Sequence, residues 1–137
     1  MAPPRFLTLT EVLLLLQDQI SRYGGLFGVR DLGLLSSAIA VPSASFQGKP
    51  LHSDLYEMAA AYAFHICQNH PFIDGNKRVG LASALVFLDL NSVQLSDPDG
   101  TLYQLMMGVA QGKTNKAELA SALRSLPAKR RRMGAKG

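Results

Sequence analysis

The chain has one cysteine, no tryptophan and no apolar run long enough to cross a bilayer. A lone Cys67 leaves no internal disulfide to form, as expected of a protein kept in a reducing compartment. No secretory leader pattern is present, so the expected location is the cytoplasm, with no membrane among the partners. Three scattered histidines and one cysteine give no zinc-ligand spacing. No G-x-x-x-x-G-K-[ST] occurs, which excludes a P-loop. Acid is missing from one place in particular. Five of the 14 Lys and Arg lie beyond Pro127, where there is no Asp or Glu, and the remaining nine face ten acidic residues. The net charge of +4 therefore belongs to the tail, and nucleic-acid binding by the body of the chain gets no support from charge.

What is present is helical. Thr8 and Glu11 have capping-box spacing, with Leu7 and Val12 placed as a hydrophobic staple. The helix they open is expected to stop at Gly24-Gly25. Asp31 caps a second helix that ends before Pro42, with Leu32, Leu35 and Ile39 as its apolar face. Pro42 to Pro50 has no helical period and reads as a surface loop with Phe46 buried. Ser53-Asp54 opens a third helix, with Glu57 completing an Asp-type box and Tyr56, Ala60, Ala63, Phe64 and Cys67 inward. His52 and His65 match no motif and read as surface or satisfied histidines. The fourth segment, Asn76 to Leu90, is apolar nearly all round and is expected to be the central, buried helix. A fifth starts at Asp97-Pro98 and runs to about Gln111, with Met106-Met107 as core filler. Asn115 and Glu118 cap a sixth that ends at Pro127. The expected fold is all-α, a compact six-helix bundle. Residues 1–127 form one domain and 128–137 a disordered basic tail.

Between the third and fourth helices lies His70-Pro71-Phe72-Ile73-Asp74-Gly75-Asn76-Lys77-Arg78. Pro71 stops one helix. Gly75 and Asn76 suit the turn into the next, by backbone freedom and as a cap. Phe72 is expected to pack inward and pin the loop. The first turn of a helix offers unpaired N–H groups and the positive end of the dipole, and so holds anions, phosphate above all. Lys77 and Arg78 stand in that turn, where the dipole alone favours Asp or Glu, so the missing negative charge is expected from a ligand. Asp74 can hold a divalent ion against phosphate oxygens. His70 is of the residue type that serves as a general base near neutral pH. A base, a metal carboxylate and a phosphate cradle describe nucleotide-dependent transfer to a hydroxyl.

This run resembles the signature of Fic/Doc proteins, H-P-F-x-D-G-N-x-R, with lysine at the variable place. The resemblance extends to Ser21-Arg22-Tyr23-Gly24-Gly25, to Arg30-Asp31-Leu32-Gly33-Leu34-Leu35, to Ala59-Ala60-Ala61-Tyr62 and to Phe87-Leu88-Asp89-Leu90-Asn91. About residues 5–126 look like a Doc (death-on-curing) toxin. Asn91-Ser92 replaces the Asn-Gly expected after the fourth helix, a departure confined to a turn. The resemblance implies a Fic/Doc-type bundle with a flap loop over the active site. It implies ATP and Mg²⁺, with His70 taking a proton from a target hydroxyl and Asp74 holding the metal. Gly75, Asn76, Lys77 and Arg78 would then bind the phosphates, with Arg78 also catalytic.

Two reactions use such an apparatus. Fic enzymes carry a second glycine where this chain has Lys77, and transfer AMP. Doc-like proteins carry lysine there and transfer the γ-phosphate, implying a kinase whose target is a threonine of elongation factor Tu. A non-catalytic scaffold of the same fold is the third reading. Fic/Doc proteins are restrained by a helix bearing [ST]-x-x-x-E-[GN]. The nearest approach, Thr114-Asn115-Lys116-Ala117-Glu118, is followed by Leu119, and helix capping explains Glu118 better. Inhibition is therefore expected in trans, from an antitoxin peptide or protein laid along an apolar groove.

Overall fold

The computed structural model describes residues 3–129. Six helices follow one another: α1 (Leu9–Tyr23), α2 (Leu32–Ala40), α3 (Leu55–Asn69), α4 (Asn76–Leu90), α5 (Thr101–Ala110) and α6 (Lys116–Ser125). A single 3-10 turn, Val41–Ser43, and a two-stranded hairpin, β1 (Ser45–Phe46) with β2 (Lys49–Pro50), separate α2 from α3. The all-α bundle expected from the sequence is the fold.

Local chemistry places most of the helix starts. The Thr8 hydroxyl accepts the Glu11 N–H while the Glu11 carboxylate accepts that of Thr8, and Asn115 with Glu118 repeats the arrangement. Asp31 accepts the Leu34 N–H at the start of α2. Asp54 accepts the Glu57 N–H, but Glu57 answers to the N–H and hydroxyl of Ser53, one residue upstream of the expected box. Asp97 does not itself open α5. The helix begins at Thr101, and Asp97 accepts the Thr101 and Leu102 N–H groups from outside it.

The hub is α3. It packs against α2, α4, α5, α6 and the 3-10 turn, and its Met58 through Ala63 are all buried. Its alanines and Gly80 of α4 let the two helices approach closely, since a Cβ at Gly80 would lie 2.8 Å from the Ala63 carbonyl oxygen. The expectation of an α4 buried all round holds on one side only. Val79, Ser83, Ala84, Phe87 and Leu88 are buried, while Leu81, Ala82, Leu85 and Val86 are half-buried along a second face. Across α3 and α4, Tyr62 stacks obliquely on Phe87 and its hydroxyl accepts the Leu7 N–H at 2.8 Å, fixing the chain before α1.

Other expectations fail for reasons of placement. Leu32 is 56% exposed at the first position of α2, and Leu35 and Ala38 are the residues that the helix buries. Phe46 is 66% exposed at the hairpin, whose Gln47-Gly48 turn has positive φ at both residues. Met106 is core, but Met107 is 38% exposed one position round the helix. Of the expected disordered tail, Ala128 bridges Leu95 and the Lys129 N–H reaches the Gln94 carbonyl at 2.7 Å. Residues 130–137 lie outside the described part. At the turn after α4, Ser92 has φ 69°, the left-handed region for which glycine is the strain-free residue.

Candidate functional site

The motif loop leaves α3 through His70, which caps the helix in the left-handed region (φ 50°, ψ 53°) and gives its N–H to the Ile66 carbonyl. Pro71 follows, buried, and Phe72 is fully buried, pinning the loop as expected. Asn76 then closes the loop. Its Oδ1 accepts the Phe72 N–H and its Nδ2 donates to the Phe72 carbonyl, both at 3.0 Å. The expected Asn76 cap is not formed: its buried side chain is bonded on both its oxygen and its nitrogen to the Phe72 backbone. The cap position falls on Gly75, at φ 86°.

A glycine there has an electrical consequence. In α1, α2, α3 and α6 the cap side chain accepts an N–H of the first turn, and in α5 Asp97 does so. Among the described residues α4 alone has no side-chain acceptor at its start and no acid in its first turn. Its N–H groups are left to whatever enters from solvent, and Lys77 and Arg78 add charge to the positive end of the dipole.

Two cavities flank this helix start. One, of about 300 Å³, runs from Tyr23, Gly24 and Gly25 across residues 74–78 to Tyr103. The other, of about 360 Å³, shares residues 74–77 and is closed by Cys67, Gln68, His70 and Ala110. Arg78 thus opens on the first and His70 on the second, with Asp74, Gly75 and Lys77 between them. The structure brings the candidate residues into one continuous site around the α4 terminus. The Arg78 guanidinium carbon lies 5.2 Å from the centre of the Tyr23 ring, a cation–π distance that seats it.

Asp74 is held from the far side of the sequence. Its Oδ2 accepts the Leu26 N–H at 2.7 Å, and no other donor among the described residues reaches the carboxylate. The other carboxylate oxygen is left without a hydrogen bond among the described residues, and a single carboxylate oxygen is the kind of ligand that could hold Mg²⁺ when phosphate and water complete its shell. No group of three or more His, Cys, Asp or Glu that could hold a metal without such help occurs among the described residues. The Gly24-Gly25 pair, expected only as a helix stop, divides its work. Gly24 donates to the Ile20 carbonyl and ends α1. Gly25 (φ 109°) lets the chain pass Asp74, where a Cβ would come within 3.1 Å of the Asp74 Cβ. Arg30 was missed as a site residue, although it stands in one of the family-like segments. Its guanidinium donates to the carbonyls of Asn69 and His70.

Cys67, at the edge of the second cavity, is buried, and burial pushes its thiol pKa up despite the opposing charge of Lys77. That makes it a packing residue, as expected. His52 and His65 are neither free nor at the surface. Each presents Nε2 to the Lys116 ammonium at 3.0 Å, outside the motif site.

A profile of the Fic/DOC family matches residues 6–88, a span that contains the whole motif and the loop that braces it. The chain is 37% identical over 122 residues to "Protein kinase doc" of Escherichia phage P1, covering 89% of this chain and 95% of that one. It is 43% identical over 74 residues to "Toxin Doc" of Mycolicibacterium smegmatis, covering 54% and 57% respectively. A match over most of the phage protein's length, with the motif intact in its helix–loop–helix frame, settles the relationship: this chain belongs to the Fic/Doc family.

Proposed function

We propose that the protein is a Doc-type toxin that transfers the γ-phosphate of ATP to a hydroxyl of a target protein in the cytoplasm. The observation that carries this reading is the uncapped, acid-free start of α4, with Lys77 and Arg78 in its first turn and His70 across the loop. In this reading the triphosphate lies against the α4 N–H groups. Lys77 and Arg78 neutralise charge that grows on the phosphates as the bond to the γ-phosphorus shifts. His70 accepts the proton of the attacking hydroxyl, whose oxygen forms the new bond to phosphorus while ADP departs. Asp74 would hold Mg²⁺, which when bound would offset negative charge on the phosphate oxygens. Positioning and electrostatics do the rest, as phosphoryl transfer requires.

Lys77 favours the kinase over AMP transfer, because a lysine at this position fills room that a glycine leaves open for nucleotide. The phage relative's name, a protein kinase, points the same way. The target we propose is a threonine of elongation factor Tu, as the resemblance to Doc toxins implies, so that the outcome is arrested translation. The exposed hairpin β1–β2, with Phe46 next to its Gln47-Gly48 turn, is the flap that holds the target segment in this reading. For the antitoxin we propose the apolar groove of about 440 Å³ beside Arg78, walled by Tyr23, Leu81, Leu85 and Tyr103. An amphipathic helix fits such a groove, and it would reach Arg78 from the side.

Incubation with γ-labelled and with α-labelled ATP, in the presence of elongation factor Tu or cell extract, tests the reading. Protein-bound label from γ alone, lost in His70→Ala, is the expected result. Label from α means AMP transfer. No label from either leaves a scaffold and ends the enzyme reading.

A further inference from the structure

The segment between α1 and α2 runs antiparallel to the motif loop. Val29 bridges Phe72, the Gly28 carbonyl accepts the Ile73 N–H at 3.0 Å, and the Arg30 and Asp31 N–H groups both reach the Pro71 carbonyl, at 2.6 and 3.1 Å. At one end of this brace is Asp74, bound to the Leu26 N–H. At the other, the Arg30 Nε donates to the His70 carbonyl at 2.7 Å and Nη2 to that of Asn69 at 3.1 Å.

We infer that Arg30 is the positioning residue of the His70 base. The inference rests on the assignment of His70 as base made above. His70 is one of three non-glycine residues with positive φ among the described residues, a conformation that L side chains leave unless something holds them. Its N–H is fixed to the Ile66 carbonyl and its C=O to the Arg30 guanidinium, so both flanking peptide planes are clamped. No hydrogen bond among the described residues reaches the imidazole, and the side chain is exposed. What the protein fixes by hydrogen bonds is therefore the backbone of His70, which sets the direction in which its side chain leaves the chain. The carbonyls at the C-terminal end of α3 lack intrahelical donors and carry the negative end of the dipole. A planar guanidinium meets two of them at a fixed angle, which a lysine ammonium cannot do.

The two ends of the brace serve different parts of the reaction, which makes the inference separable from general stability. Loosening Arg30 misaims the base and lowers kcat. Crowding Gly25 displaces the Asp74 carboxylate and raises the KM for ATP.

The test is steady-state transfer by Arg30→Met, Arg30→Lys and Gly25→Ala, with thermal melts of each and the resonances of the His70 amide and imidazole recorded by NMR. Expected are a fall in kcat of about 10- to 100-fold for Arg30→Met, with KM for ATP within about twofold of wild type, a smaller fall for Arg30→Lys, and the KM effect in Gly25→Ala. The His70 resonances should move in both Arg30 variants. A folded Arg30→Met with wild-type kcat overturns the inference, and so does a loss that appears in KM alone. Should Arg30→Met fail to fold, Arg30→Lys decides by the same criteria, and unmoved His70 resonances in it overturn the inference. A wild type without His70-dependent transfer counts against the proposed function instead. In that case the His70 resonances alone decide whether Arg30 sets that residue.

Discussion

At the start of α6, Lys116 stands in the first turn of a helix, and at the start of α4 so do Lys77 and Arg78. The dipole opposes both placements. In α6 the protein answers from within. Asn115 and Glu118 complete the cap, and the Lys116 ammonium lies between the Nε2 atoms of His52 and His65, each 3.0 Å away. An ammonium has donors only, so both rings must be neutral and accept through Nε2. Burial and the adjacent cation lower both histidine pKa values, that of His65 to about 4. In α4, among the described residues, no carboxylate, cap side chain or imidazole bonds to Lys77 or Arg78, Arg78 rests against the Tyr23 ring alone, and a cavity adjoins the turn. A cation at the positive end of a helix is thus not by itself a site. What marks one is that the surrounding protein leaves it uncompensated.

The contrast breaks most readily at Arg78. Arg78→Ala should lower phosphate transfer by roughly 10²- to 10³-fold, whereas Lys116→Met, the matching change at α6, should leave the label incorporated from γ-labelled ATP within about twofold. Comparable losses in both would mean that the two helix starts are not different in kind.

Inorganic tripolyphosphate offers a probe without chemistry. At ten times its Kd it should stabilise the wild type by about 1.4 kcal/mol, read as a rise in Tm. The rise should persist in Lys116→Met and vanish in Arg78→Ala. A rise that depends on Lys116 would place the anion at the wrong helix.

The smallest effect concerns acid. The folded pKa of His65 lies below its unfolded value of 6.5, so the unfolded chain takes up the proton first. The stability of the neutral ring is fully present above pH 6.5 and is lost as pH falls through about 4. The side chain is only half-buried, and after allowance for solvent screening the loss is on the order of 1 kcal/mol. His65→Gln keeps an acceptor for Lys116 but does not titrate. Urea denaturation at neutral and at acid pH should show a shallower acid loss in that variant, and equal slopes would remove His65 from the account.

Much of this was legible in the chain. The capping boxes at Thr8 and Asn115, the caps at Asp31 and Asp54 and the stop at Gly24 appear where they were read. Each is a contact between residues three or four apart, and such contacts are written in sequence. Burial was less legible. Phe46, Leu32 and Met107 are apolar yet exposed, because periodicity names a face without naming what covers it. At the site the motif residues gathered as expected, but Asn76 turned inward to Phe72 and the brace by residues 25–31 went unseen.

The sequence by itself determined six helices, the caps of α1, α2, α3 and α6, and the turn that carries His70, Asp74, Lys77 and Arg78. All of these follow from local spacing and residue chemistry. Only the tertiary structure decided which cations are compensated and which side chains hold the motif loop. Arg30 lies 40 residues from the His70 carbonyl that it binds, and Lys116 lies 51 and 64 residues from its two histidines. Pairings at that distance depend on how α3 gathers the other elements around it, and no local pattern records them.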